Sequence, residues 1–180
     1  QLPELVKRIL RGTKIKGVGV STKPRAAEGS YMPCFRVGEC AATCVASALG
    51  VPLYSFSHQQ GHIAAAVFSS KRSLKDDPFL AWHLSGGTTE LLLVEPDSEL
   101  IFKEKIIGGS TDISAGQLID RTGIMLGFEF PSGPSLDHMS LKSEGCRGYK
   151  VRSVDSRFSL SGMENKVVEM LLDGVSNEDI

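Results

Sequence analysis

The 180-residue chain has little cysteine, few aromatic residues and almost no net charge, and these scarcities exclude several classes of protein. Four cysteines are too few for a disulfide-stabilised scaffold of this length. The 20 Lys and Arg residues nearly balance 21 Asp and Glu residues, which excludes a basic nucleic-acid-binding arm. The sequence also lacks an uncharged apolar run of the ~18 residues that a membrane-spanning helix needs. We therefore expect an ordinary globular protein of the cytoplasm.

The four cysteines are Cys34, Cys40, Cys44 and Cys146, and no two of them form a Cys-x-x-Cys pair. Cys40 and Cys44 are four residues apart, so one helix face can carry both thiols. We expect the cysteines to be small buried side chains of a reduced protein. A metal or redox role is the alternative.

Both ends of the sequence predict an incomplete fold. The chain begins with Gln1, and Ser176, which is typical of a helix start, has only four residues after it. A helix that short cannot bury a face, so we expect this chain to be a fragment.

Apolar periodicity predicts alternating helices and strands before residue 71. Ser57 is typical of a helix N-cap and Gly50 of a helix end. This order predicts parallel α/β layers. The predicted helices span 2–11, 38–49 (mostly buried) and 58–70; the predicted strands span 15–20 and 51–56 (buried), with a loop at 21–33.

A charged, polar stretch at 71–78 predicts a boundary between two α/β lobes. We assign 1–77 to part of the first lobe and 78–180 to the start of the second. Ser135 is the predicted N-cap of a short helix that follows a break at 131–134. One further predicted helix ends at about residue 126, and another spans 162–172. The predicted strands span 79–84, 90–94, 100–107 and 157–160.

His58 and His62 form the first candidate site. Residues i and i+4 share a helix face, so both imidazoles can bind one iron or zinc ion. This spacing alone is weak evidence, and surface or core histidines are the alternative. A zinc protease needs a glutamate as general base beside the first histidine, where this sequence has Gln59, so a protease is disfavoured.

A second group of candidates lies beyond residue 84. Ser85, Gly86, Gly87 and Thr88 separate two predicted strands, and their backbone N–H groups and hydroxyls can cradle an anion; a plain glycine-rich turn is the alternative. Two carboxylates and a glycine follow. Asp112 and Asp120, eight residues apart and so roughly on one face of a predicted helix, can hold magnesium or a ribose hydroxyl; an acid at the helix N-terminus and a solvated aspartate are the alternative. Gly133 either admits a ligand or ends a helix.

Five ordered segments together resemble the bacterial tRNA threonylcarbamoyladenosine transferase family, also called the glycoprotease or O-sialoglycoprotein endopeptidase family. The resemblance runs from about residue 15 to about residue 166. Its segments are Gly-Val-Pro-Leu at 50–53 with Ser-His-Gln-Gln-Gly-His at 57–62, Leu-Ser-Gly-Gly-Thr at 84–88, the stretch 112–120, Pro-Ser-Gly-Pro at 131–134, and Phe-Ser-Leu-Ser-Gly at 158–162.

The resemblance implies an actin-like, ribonuclease H-like fold with two lobes and a nucleotide in the cleft, here incomplete at both ends. It implies that His58 and His62 bind Fe²⁺ or Zn²⁺. It also implies a set of residues that contact ATP or threonylcarbamoyl-adenylate, with Mg²⁺ as an open addition. These residues are Leu84, Ser85, Gly86, Gly87, Thr88, Asp120 and Gly133, to which we add Asp112.

The implied reaction transfers threonylcarbamoyl to N6 of adenosine 37 in tRNA. The implied partners are tRNA, held through a local basic patch or through partner proteins, and other proteins of the same modification pathway; a homodimer and a heterodimer both stay open. The alternative is a non-catalytic paralogue that binds or scaffolds in tRNA modification. A metalloendopeptidase is disfavoured.

The sequence departs from the family pattern at several positions. The family's C-terminal third, with a nucleotide-binding asparagine and the carboxylate that completes the metal site, lies outside this sequence, as does its opening strand. Within the matched part, the family has His, Asp, Glu and Glu where this sequence has Thr88, Ile113, Gln117 and Gln60. These departures predict a divergent paralogue.

Overall fold

The computed structural model describes residues 2–71, 76–145 and 148–180, without the side chain of Leu2. The chain divides into two compact units. The first comprises the chain up to Pro78 together with 95–104, and the second comprises 79–94 and 105–180. The assignment of 1–77 and 78–180 to the lobes of an actin-like fold stays a prediction.

The first unit alternates helices and strands, as the periodicity predicts. Its two strands pair in parallel, which confirms the predicted layering for this unit. In chain order the elements are α1 (Leu2–Leu10), β1 (Val18–Lys23), α2 (Pro33–Leu49), β2 (Leu53–Ser57) and α3 (His58–Ser70).

Local capping determines the ends of these helices. Helix α2 starts at Pro33 rather than at the predicted residue 38, because proline at the first helical position is preorganised for the turn. It ends at Gly50 in the left-handed conformation (φ 63°), as predicted. Ser57 caps α3 in a reciprocal capping box with Gln60, which confirms the predicted N-cap.

Burial in the first unit differs from the prediction. Ala46 is the buried residue of α2 in the described chain, and Tyr54 of β2 is 52% exposed, so the predicted burial of both elements is wrong. The reason is that a two-stranded sheet covers only one side of a helix. Cys34, Cys40 and Cys44 are exposed, so the buried-cysteine prediction is wrong for these three; Cys146 lies outside the described residues.

The second unit is built on a mixed sheet of strand order β3-β4-β5-β7-β6. Strands β3 and β4 are antiparallel, β5 and β7 are parallel, and β7 and β6 are antiparallel. The elements are β3 (Phe79–Leu84), β4 (Thr89–Asp97), β5 (Ile101–Ser110), α4 (Ala115–Met125), α5 (Gly133–Ser140), β6 (Ser153–Val154), β7 (Arg157–Phe158) and α6 (Ser161–Leu172), followed by a 3-10 helix (Asn177–Asp179).

Two boundaries in this unit correct the predictions. Helix α5 begins at Gly133 after Ser132, not after Ser135, because Pro134 fits the first helical turn. Strand β6 is not predicted, since two residues are too short to show a period of two. Within the described residues, no helix has the length and apolar character needed to cross a membrane.

Candidate functional site

Helix α3 brings the rings of His58 and His62 together. Their Nε2 atoms are 3.0 Å apart, and both side chains are exposed. Two nitrogens at this separation, each ~2.1 Å from a shared cation, subtend an angle of about 90°. Imidazole nitrogen suits iron and zinc, so this donor pair fits the implied metal. The described residues include no group of three or more His, Cys, Asp or Glu side chains that could hold a metal ion.

The loop after β1 and the start of α2 also contact the beginning of α3. The backbone N–H of Gln59 donates to the carbonyl of Pro24 (3.1 Å). The ring of Phe35 lies 5.6 Å from that of His58, tilted by 56°. The sequence pattern did not identify Pro24 or Phe35 as site residues, because neither belongs to a spaced motif.

The hydrogen-bond partners of the Gln60 side chain suit an amide. Its side-chain oxygen accepts from the backbone N–H of Ser57 (2.8 Å), and its side-chain nitrogen donates to the carbonyl of Phe102 (2.9 Å). A carboxylate could make the first bond but not the second. The family has glutamate at this position, and this chain has glutamine, whose side-chain nitrogen supplies the donor that the carbonyl of Phe102 accepts.

Gln60→Glu is expected to destabilise the chain by about 1–2 kcal/mol at neutral pH, because a buried carboxylate oxygen would then face the carbonyl of Phe102. The effect should shrink on acidification, since a protonated carboxyl group can again donate. Urea denaturation at about pH 7 and about pH 4 measures both. Gln117→Glu, in an exposed capping-box position, is the matched control, and equal losses for the two variants would contradict this explanation.

The turn between β3 and β4 concentrates hydrogen-bond donors. The backbone N–H groups of Thr88 and Gly87 both point to the hydroxyl of Ser85 (3.0 and 3.3 Å), which lies 2.7 Å from that of Thr88. Two N–H groups and two hydroxyls thus converge at one exposed point. Both N–H groups are bonded to the Ser85 oxygen here, so they would reach an anionic oxygen only once the Ser85 hydroxyl turns away.

The start of α4 packs directly onto this turn. Ser114 donates its hydroxyl proton to the carbonyl of Gly86 (2.8 Å), and the N–H of Ala115 donates to the hydroxyl of Thr89 (2.7 Å). A side chain at Gly116 would place its Cβ 2.6 Å from the Cα of Gly86. Only glycine permits this approach of helix to turn.

Gln117 completes a capping box at the same helix start. Its side-chain oxygen accepts from the N–H of Ser114 (3.0 Å), and the Ser114 hydroxyl accepts from the N–H of Gln117 (3.1 Å). Glutamine and glutamate serve equally at this position. The departure at Gln117, like that at Gln60, therefore keeps a structural role.

Asp112 does not share a helix face with Asp120, which corrects the prediction. Helix α4 begins only at Ala115, because Ser114 is its cap. The Asp112 carboxylate instead accepts from the hydroxyls of Ser159 (2.5 Å) and Ser161 (2.6 Å). These bonds, with those from the backbone N–H groups of Leu160 and Ile113, hold the pKa of Asp112 far below its usual range.

Asp120 lies beside the start of α5. Its carboxylate accepts from the N–H of Ser132 (2.9 Å), whose side chain is fully buried. A Cβ on Gly133 would meet only Ile119, at an ordinary 3.8 Å, so chain packing does not require glycine there. In the second unit, Asp120 therefore lies beside Gly133, and the turn Ser85–Thr88 lies against α4. The histidine pair belongs to the first unit. The ligand roles of these residues stay predictions.

Comparison with known proteins assigns a family. The family model of TsaD, tRNA N6-adenosine threonylcarbamoyltransferase, matches residues 2–180. Proteins of that name are 31% identical over 149 residues in Chlorobium chlorochromatii (75% of this chain, 41% of the relative) and 32% over 163 residues in Geotalea uraniireducens (88% and 44%). In Prochlorococcus marinus the identity is 26% over 179 residues (94% and 49%). The chain spans less than half the length of these relatives, and it belongs to the tRNA N6-adenosine threonylcarbamoyltransferase family.

Proposed function

We propose that this chain forms part of a metal-dependent acyltransferase that moves threonylcarbamoyl onto N6 of a tRNA adenosine. Family membership supports the reaction, and the converging histidine nitrogens, 3.0 Å apart on α3, are the observation that carries the metal dependence. The proposal includes the actin-like, two-lobed fold and its nucleotide or threonylcarbamoyl-adenylate ligand.

His58 and His62 would hold Fe²⁺ or Zn²⁺ through their Nε2 atoms. The bound ion would supply Lewis-acid polarisation of an acyl phosphate oxygen. The turn Ser85–Thr88 would bind phosphate oxygens by exchanging the Ser85 oxygen, which now accepts from the N–H groups of Gly87 and Thr88, for a phosphate oxygen, and would stabilise the charge that develops there. Asp120 and Gly133 would line the nucleotide site on the side of α5.

The tRNA partner is part of the same proposal. A net charge of −1 supplies little attraction for a polyanion, so recognition would need a local basic patch or partner proteins of the pathway. A non-catalytic paralogue is the competing interpretation. Two of the family departures, Gln60 and Gln117, keep hydrogen bonds within capping boxes, so they preserve the helix starts under either interpretation.

The metal content of the purified full-length protein that contains this chain tests the proposal. We expect about one iron or zinc per chain and its loss in the double variant His58→Ala/His62→Ala, because the two nitrogens are the donors that α3 provides. His138→Ala, which removes an exposed histidine on α5, is the matched control and should keep the metal.

Absence of metal from the parent protein and from both variants would contradict the metal site and favour the non-catalytic paralogue. If the metal is present, formation of threonylcarbamoyladenosine in tRNA, read by nucleoside mass spectrometry, tests the reaction itself. The double variant should then lose the product while still binding ATP.

A further inference from the structure

The tip of the β4–β5 hairpin belongs to the first unit and is internally braced. Asp97 accepts from the backbone N–H groups of Glu99 (2.9 Å) and Leu100 (2.8 Å) and pairs with Lys103. The Lys103 ammonium, followed by these backbone donors, lowers the pKa of Asp97 to about 2. Phe102 is 3% exposed, so the tip is anchored by its side chain as well. The tip is thus a defined platform rather than a loose turn.

Two side chains connect this tip to the start of α3. The Ser57 hydroxyl donates to Oε1 of Glu104 (2.8 Å), and the Gln60 amide donates to the carbonyl of Phe102 (2.9 Å). Ser57 and Gln60 are 1% and 4% exposed, so neither bond competes with bulk water. The two bonds therefore fix the first helical turn against the hairpin.

The bond to Glu104 also determines the direction of the cap. A hydroxyl has one proton, and a carboxylate only accepts, so Ser57 must donate to Glu104. Its oxygen is then left to accept from the N–H of Gln60 (3.0 Å), which is the capping bond. Without an acceptor at residue 104, the Ser57 hydroxyl loses one of the two bonds that hold its rotamer, and the capping bond to the N–H of Gln60 is held less firmly.

Glu104 is half-buried, and one of its carboxylate oxygens is placed at a cost that a purely structural residue would not need. Its second oxygen, Oε2, is buried and has no hydrogen-bond partner among the described residues. An orphaned carboxylate oxygen loses its hydration without gaining a hydrogen bond, so packing alone favours an apolar residue here. Ser57 lies immediately before His58, so an acceptor that orients Ser57 acts directly beside the histidine pair.

We propose that Glu104 is a positioning residue for the metal site: by orienting the Ser57 cap, it holds the first turn of α3 so that the His58 and His62 nitrogens converge. The inference rests on the metal site of the proposed function. It adds a residue from a distant hairpin, outside the family-like segments on which the resemblance rests.

Titration of the full chain with Co²⁺, followed by the absorption of the bound ion, tests this role. Glu104→Ala is expected to weaken Co²⁺ binding by about tenfold, as loss of an outer-shell partner typically does. Glu104→Gln keeps an oxygen acceptor for Ser57 and should stay within about threefold of the parent. Glu95→Ala removes an exposed carboxylate from the same hairpin and should leave the affinity unchanged. Circular dichroism at each point reports whether the variant is folded.

Unchanged Co²⁺ affinity in folded Glu104→Ala would overturn the inference, and so would an equal loss in Glu104→Gln, since that would remove the acceptor argument. If Glu104→Ala does not fold, Glu104→Asp, which withdraws the carboxylate by one methylene, takes its place with the same expected loss. His58→Ala separates the two hypotheses. Co²⁺ binding that survives this change would overturn the metal site of the proposed function, and the role of Glu104 with it.

Discussion

Gly116→Ala is expected to destabilise the chain by about 2–3 kcal/mol and to displace the Ser85–Thr88 turn. A Cβ at this position would lie 2.6 Å from the Cα of Gly86 and 2.7 Å from the carbonyl oxygen of Ser85. Both neighbours are backbone atoms, which cannot rotate away as a flexible side chain can. The helix start and the turn must then separate, and overpacking of this kind costs free energy.

Separation would also affect the donors of the turn. The N–H of Gly116 donates to the carbonyl of Ser85 (3.3 Å), and the bonds from Ser114 and Ala115 lie beside it. Urea denaturation gives the stability loss, and ATP binding by calorimetry gives the loss of anion-binding geometry. Gly162→Ala is the matched control, because beyond its own helix backbone and chain neighbours no atom lies within 4 Å of the added Cβ. Equal stability of the two variants would refute the close-packing argument.

Asp112→Ala is expected to cost about 2 kcal/mol at neutral pH, because five donors from 159–161 and Ile113 lose their acceptor. The hydroxyls of Ser159 and Ser161 are the first causes of its lowered pKa. A carboxylate whose pKa is lower in the folded than in the unfolded state stabilises the fold above the unfolded value. That contribution is fully present above about pH 4 and is lost as pH falls toward the folded pKa.

The stability difference between the parent chain and Asp112→Ala should therefore be largest near neutral pH and shrink below about pH 4. Denaturation midpoints measured between about pH 2 and about pH 7 give this curve. Asp137→Ala, an exposed carboxylate on α5, serves as the control and should show a difference near zero throughout. A difference for Asp112→Ala that does not change with pH would contradict the role of the charged carboxylate.

Much of the candidate site is local in sequence and could be predicted. The His58/His62 pair follows from a spacing of four on one helix, and the Ser57 cap and Gly50 end follow from short-range backbone chemistry. The Ser85–Thr88 turn lies between strands whose alternation is visible in the residues themselves. The family resemblance rests on the same short segments, and the family model confirms it over residues 2–180.

Burial and long-range acceptors were decided by the tertiary structure. The exposure of Cys40 and Cys44 depends on how little of α2 a two-stranded sheet can cover, and no periodicity reports that. The acceptor for Ser57 lies 47 residues away at Glu104, and the acceptor for Gln60 lies 42 residues away at Phe102.

The sequence by itself therefore determined most helices and strands, the histidine pair and the family, because these depend on neighbours along the chain. The tertiary structure decided which groups meet across the fold. Asp112 clamps the segment 159–161 instead of facing Asp120, and Gln60 and Gln117 fill capping boxes in place of the family's glutamates. Hydrogen bonds between distant segments form only once packing brings their atoms within 3 Å or so, and that distance is a property of the fold.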